Sequence, residues 1–167
     1  MWLDDLLAEL NKSGLQGQAA FQYLTGHNVK VGFHDQPTGA RWTITGDIEL
    51  HPRFANGPSN APYPLSLVVH EVRHLQQGFF TALSVYGELD AWQVQFSFLK
   101  SLTGQYHPIL NKNSIIEDLM SFSAVLDRKI LKRSIILMKA YAGKGYLVNL
   151  LPLYPLPREF LFLLTRK

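Results

Sequence analysis

The stretch Ser66-Leu-Val-Val-His-Glu-Val-Arg-His-Leu-Gln-Gln-Gly78 carries His70 and His74 four residues apart, with Glu71 directly after the first. Leu65, Leu67, Val68, Val69 and Val72 give it a helical apolar period, and Gly78 is a stop signal, so a helix is expected over 65–77. On such a helix, positions i and i+4 lie one above the other, so both imidazoles can point at one ion. Glu71 is turned by about 100° from His70 and reaches the side where a water molecule would sit. Two neutral imidazoles with a neighbouring carboxylate are the parts that zinc-assisted hydrolysis needs, the carboxylate taking the proton of a water that zinc acidifies towards about pH 7. The bland alternative is a helix with ordinary exposed His and Glu side chains.

A catalytic zinc site has three protein ligands and an open position. The 167-residue chain has no cysteine, so the third must be His, Asp or Glu. The next helix, expected over 87–102, offers Glu88 and Asp90 in Tyr86-Gly-Glu-Leu-Asp-Ala-Trp92. The intervening residues 78–86 are enough to turn the chain back and set two antiparallel helices facing each other. Arg73 is expected either to support the site through Glu88 or Asp90 or to form a plain interhelix salt bridge. Trp92, Phe96 and Leu99 recur at helical spacing and read as core. Tyr86, Tyr106 and His107 suit an oxyanion donor by residue type alone. His27, His34 and His51 read as surface or turn residues, with His51 the one that would line a cleft.

Here the chain resembles a minimal zincin metallopeptidase of the gluzincin type, in which an HExxH helix is followed by a helix opening E-x-x-A. Glu88-Leu-Asp-Ala91 matches that motif, although Trp92 stands where an acid usually follows. The resemblance implies Zn2+ held by His70, His74 and Glu88, with Asp90 as the alternative third ligand, Glu71 as general base, and a peptide or protein substrate. It also implies an edge strand above the metal helix that pairs with an extended substrate. Thr45-Gly-Asp-Ile-Glu-Leu-His-Pro52 lies in the right order for it. The implied architecture is an α+β, zincin-like single domain with its core at about 15–102.

The flanking sequence fits that class. Trp2, Leu3, Leu6, Leu7 and Leu10 share one face of an N-terminal helix over 2–11, and a second helix is expected over 15–25. Residues 29–34, 41–45 and 47–51 read as three short strands, the first two separated by a turn at 35–40, and 51–64 as a loop. Residues 114–142 read as one bent helix opened by a Ser114–Glu117 capping box. The last 25 residues read as extended and docked. The apolar run Gly145–Thr165 is broken by Pro152, Pro155 and Pro157 and carries Arg158 and Glu159, which argues against a membrane span. With no signal-like N-terminus, the expected location is the cytoplasm.

Charge is uneven. Residues 1–100 carry six Lys and Arg against nine Asp and Glu, and residues 101–167 carry ten against four. Arg128, Lys129, Lys132 and Arg133 form one side of a helix that reads as the basic outer face of a core element, with contact to an anionic membrane or partner as the alternative. No aromatic-rich nucleic-acid motif accompanies it. A rival to the enzyme is a silent or latent zincin-like binding module whose apolar C-terminal segment covers the cleft.

Overall fold

In the computed structural model, residues 1–107, 112–122, 127–143 and 146–165 are described. The fold is α+β, with eight α-helices and one small three-stranded sheet among those residues. Helices α1 (Trp2–Lys12) and α2 (Gly14–Gly26) pack on each other, with Leu6, Leu10, Ala20 and Leu24 buried. The expected amphipathic face of α1 is the one that packs, since Trp2, Leu3 and Leu7 flank the same core.

Strands β1 (Val31–Phe33), β2 (Ala40–Trp42) and β3 (Ile48–Leu50) lie in the order β1-β3-β2. β3 pairs parallel to β1 and antiparallel to β2. The expected edge strand at 45–52 is therefore the centre of the sheet. Both its sides are occupied: Val31 faces Ile48 on one side and Trp42 faces Ile48 on the other. The strand packed against the histidine helix with a free edge is β2. A turn in which the Gly46 N–H donates to the Thr43 carbonyl at 2.9 Å folds β3 back onto β2, and Gly46 sits at φ 88°, where glycine is favoured. Bonds from the Thr43 N–H to the Asp47 carbonyl and from the His51 N–H to the Gly39 carbonyl turn residues 39 and 43 towards β3. By alternation, the backbone groups of Ala40 and Trp42 face away from it, along the outer edge.

Helix α3 (Pro62–Gln77) is the central element. It starts three residues earlier than its apolar period suggests, because Pro62 at the first position is pre-set for a helix. Every residue from Pro64 to Val72 is buried, and so is His74. The preceding loop contains a 3₁₀ turn, Pro52–Asn56, whose N-cap is His51. After Gly78, the short α4 (Phe79–Ala82) reverses the chain into α5 (Val85–Thr103). Ser84 caps α5 by accepting from the Gly87 N–H at 3.0 Å, and Gly104 closes it in the left-handed region at φ 78°. α3 and α5 run antiparallel, as bonds near both ends require: Gln77 to Gly87 and Gln95 to Ser66.

The C-terminal half departs most from expectation. The single helix expected over 114–142 is two, α6 (Asn113–Ser121) and α7 (Arg128–Ala142). Phe122 is extended at φ −70°, ψ 116°, and α7 has its own cap, Asp127, which accepts from the Lys129 N–H at 2.7 Å. Residues 123–126, between the two helices, lie outside the described residues. Apolar spacing runs through the break without Gly or Pro, so Asp127 was its one written signal. The Ser114–Glu117 capping box does not form: Lys112 occupies the cap position, and the Asn113 side chain instead bonds the His107 backbone in both directions. The last segment is not extended throughout. A 3₁₀ turn at Val148–Leu150 precedes α8 (Leu156–Thr165), which starts where Arg158 and Glu159 N–H groups donate to the Pro155 carbonyl. The expected docking is real. The Pro152 and Leu153 carbonyls accept from the Val85 and Tyr86 N–H groups, satisfying donors that the first turn of α5 leaves open. No described helix is long and apolar enough to cross a membrane.

Candidate metal centre

His70 and His74 project from α3 into a cleft of about 480 Å3, towards α5 and the β2 edge. Their Nε2 atoms are 3.0 Å apart. From α5, Glu88 brings one carboxylate oxygen to 3.5 Å from His74 Nε2 and the other to 3.9 Å from His70 Nε2. The ligand-capable atoms of His70, Glu71 and His74 lie within 4.8 Å of one another. Donor atoms about 2.1 Å from a shared ion stand roughly 3.0–3.5 Å apart. The two imidazoles meet that requirement as they stand, and Glu88 does so with a shift of a few tenths of an ångström.

The ring of His74 is oriented by its surroundings. Gln77 Nε2 donates to the Gly87 carbonyl at 2.9 Å and to Asp90 Oδ2 at 2.6 Å, which turns Gln77 Oε1 towards His74 Nδ1 at 3.2 Å. An amide oxygen accepts only, so His74 carries its proton on Nδ1 and presents a bare Nε2 to the cleft. Arg73 Nε donates to the same Asp90 oxygen at 2.6 Å. Asp90 is thus bound to Arg73 and Gln77 and belongs to the layer behind the imidazoles. Of the two candidate carboxylates, the structure brings Glu88 to the histidines. Arg73 is the expected interhelix salt bridge, and through Asp90 and Gln77 it also steadies His74.

Burial sets the electrostatics. It pushes Glu71 up to about 8, with the Glu88 charge adding to the rise and the Trp42 backbone opposing it. Burial also holds His70 well below the ordinary imidazole value, and His74 adds to the depression. His70 Nδ1 is buried and makes no hydrogen bond of ordinary geometry. Two buried imidazoles and two close carboxylates make a donor set of the hard and borderline kind that suits a divalent cation.

Tyr146 completes the surroundings and was not foreseen. Its hydroxyl donates to Glu88 Oε2 and accepts from Trp92 Nε1 at 2.9 Å. Burial and the Glu88 charge hold it well above the usual phenol range, so it stays a donor. It arrives from an irregular segment after α7, where spacing carries no information, and no sequence signal marked it. Gly87 was equally silent: a Cβ there would lie 2.0 Å from the Thr81 carbonyl oxygen, so α5 can begin against α4 only with glycine at this position.

The other expectations divide. Trp92, Phe96 and Leu99 are buried core, and the first two also line the cleft. His107 lines the cleft, whereas Tyr86 and Tyr106 pack against the core near α5. His51 does not reach the cleft: Nδ1 caps the 3₁₀ turn by accepting from the Arg53 N–H, and Nε2 is 3.4 Å from Asp35. His27 and His34 are exposed. Tyr146, at the beginning of the described part of the C-terminal segment, is the last described residue in chain order to line the cleft. Gly145, the expected start of that segment, lies outside the described residues. No family model, curated protein or solved structure matches the chain, and the functional reading rests on this geometry.

Proposed function

We propose that the protein is a zinc-dependent hydrolase, a metallopeptidase, with His70, His74 and Glu88 as metal ligands and Glu71 as general base. The observation that carries the reading is the convergence of two Nε2 atoms and the Glu88 carboxylate within 3.0–3.9 Å in the cleft. A zinc ion held there would polarise water and the substrate carbonyl, and its charge would return Glu71 to the carboxylate form.

The chain's own groups supply the remaining parts. Glu71 accepts the proton of the attacking water as the new carbon–oxygen bond forms. It returns that proton to the amine as the carbon–nitrogen bond breaks. The Tyr146 hydroxyl fixes the Glu88 carboxylate, and the Gln77–Asp90–Arg73 chain fixes His74. The outer edge of β2 offers the Ala40 backbone groups and the Trp42 carbonyl to an extended peptide, in place of the strand that sequence order suggested, while the Trp42 backbone N–H serves Glu71.

Purified protein is expected to carry about one zinc per chain by elemental analysis. His70→Ala should abolish that content. Glu71→Gln should keep it and lower kcat by about 10²- to 10⁴-fold on a cleavable peptide. A chain that takes up no metal under zinc-replete conditions would remove the proposal.

A further inference from the structure

The cleft holds more positive charge than its floor neutralises. Arg41, Arg53 and Lys112 line it together with Glu71 and Glu88. Arg41 is balanced outside the cleft by Glu49, at 2.6 Å. Arg53 and Lys112 have no carboxylate partner among the described residues. The Arg53 guanidinium lies 5.0 Å from the Phe54 ring centre, and Lys112 Nζ lies 4.6 Å from the Tyr141 ring centre and donates to the Tyr141 carbonyl at 3.2 Å. If Glu71 and Glu88 balance a dication, as the metallopeptidase reading on which this inference rests requires, both cations remain uncompensated.

The two share one wall. Arg53 acts electrostatically on the Tyr63 hydroxyl, and Tyr63 lies beside Tyr141, over which Lys112 sits. His107 fills the angle between the two tyrosines, its ring centre 6.0 Å from Tyr63 and 5.5 Å from Tyr141. The Tyr141 hydroxyl is buried and makes no hydrogen bond of ordinary geometry. On the other side, a Cβ at Gly39 would stand 3.6 Å from Arg53 Nη2 and 2.9 Å from Leu67 Cδ1, so glycine keeps the start of the β2 edge open beside the guanidinium. Lys112 is half-buried against the Tyr141 ring and Arg53 is exposed beside Phe54, and guanidinium and ammonium groups are the natural receivers of a carboxylate.

We propose that Arg53 and Lys112 form a carboxylate-binding subsite, and that the cleft takes peptides presenting a carboxylate close to the scissile bond. That carboxylate comes either from an Asp or Glu side chain or from the peptide's own C-terminus. The first source makes an acid-selective endopeptidase, the second an enzyme that reads chain ends.

Binding distinguishes this from the hydrolase reading. Zinc-loaded, full-length Glu71→Gln protein is titrated calorimetrically with three sets of peptides. One is a neutral octapeptide capped at both ends, the second is the same peptide with one glutamate walked through each position, and the third is the neutral peptide with a free C-terminal carboxylate. At least one acidic probe should bind about tenfold or more tighter than the neutral one. The preference should shrink in Arg53→Ala and in Lys112→Gln, return in Arg53→Lys, and fall with added salt. Preference for one glutamate position assigns the side-chain source, and preference for the free terminus assigns the end. Equal affinity for all probes overturns the subsite even if the wild-type enzyme cleaves them. Selective binding by a chain that neither holds zinc nor cleaves would sustain the subsite and sink the hydrolase. Circular dichroism of each variant separates loss of the subsite from loss of fold, and Arg53, exposed on a 3₁₀ turn, can be removed without opening the core.

Discussion

The molecule has two apolar cores of different chemistry, and the candidate centre lies on the seam between them. The first gathers α1, α2, the sheet and α3 around short aliphatic side chains, with Phe98 its one fully enclosed aromatic. The second gathers α5, α6, α7 and the C-terminal segment around Trp92, Phe96 and Tyr154, with Tyr86, Tyr106, Tyr141 and Tyr146 at its margins. Aliphatic side chains can only fill space, whereas Tyr and Trp bring a polar tip that needs a partner when buried. The first core therefore fixes the position of α3 and its two histidines. The second supplies hydroxyl and indole groups that reach the same cleft, Tyr146 and Trp92 among them. Scaffold and chemical trim come from opposite halves of the chain.

The two cores are most sensitive at the side chains they bury. Phe96→Ala removes a side chain that is core to the second cluster and also lines the cleft, and should cost about 3–5 kcal/mol in denaturant unfolding. Because α3 and α5 pack along their length, the loss should shift one cooperative transition. Two separate transitions would mean that the halves unfold independently. Tyr146→Phe is next. It deletes the donor to Glu88 and should weaken zinc affinity about 10- to 100-fold, read by chelator competition, with the fold unchanged by circular dichroism.

A pH effect follows from Glu71. Its folded value of about 8 lies above its ordinary 4.5, so folding of the metal-free chain takes up a proton between these limits. That stability is fully present below pH 4.5 and lost as pH rises towards 8. Below pH 6.5, the depressed His70 works the other way, since the unfolded chain then binds a proton that the folded one refuses. The clean window is pH 6.5 to 8, where stability of the metal-free protein should fall by about 2 kcal/mol, and Glu71→Gln should flatten the slope. The smallest effect is expected from Asp90→Asn, which weakens the interhelix ion pair to Arg73 for about 1 kcal/mol. A larger effect on zinc affinity than on stability there would show that orienting His74 is its chief role.

The same division explains what was readable. His70, Glu71 and His74 sit on a periodic helix, where spacing dictates direction, whereas the next helix offered both Glu88 and Asp90, and only the resemblance to an E-x-x-A motif chose between them. The α1 face and the stop at Gly78 rest on equally local rules. Strand order does not. Nothing in residues 29–51 says that β3 slips between β1 and β2, because a parallel pairing is decided by what the sheet packs against. Lys112, Tyr146 and Arg53 lie in caps, turns and irregular segments, where position comes from tertiary contact. The break before Asp127 was hidden for a related reason: apolar spacing continued through it and outweighed one capping residue.

Gly87 carries the heaviest consequence for its size. It precedes Glu88, its carbonyl accepts from Gln77, and its α-carbon faces the Thr81 carbonyl with no room for a methyl. Alanine there would lever the front of α5 off α4, carrying Glu88 away from the imidazoles and loosening the amide that sets the His74 tautomer. A single absent carbon thus governs ligand spacing and protonation pattern together, although Gly87 itself neither binds an ion nor touches a substrate.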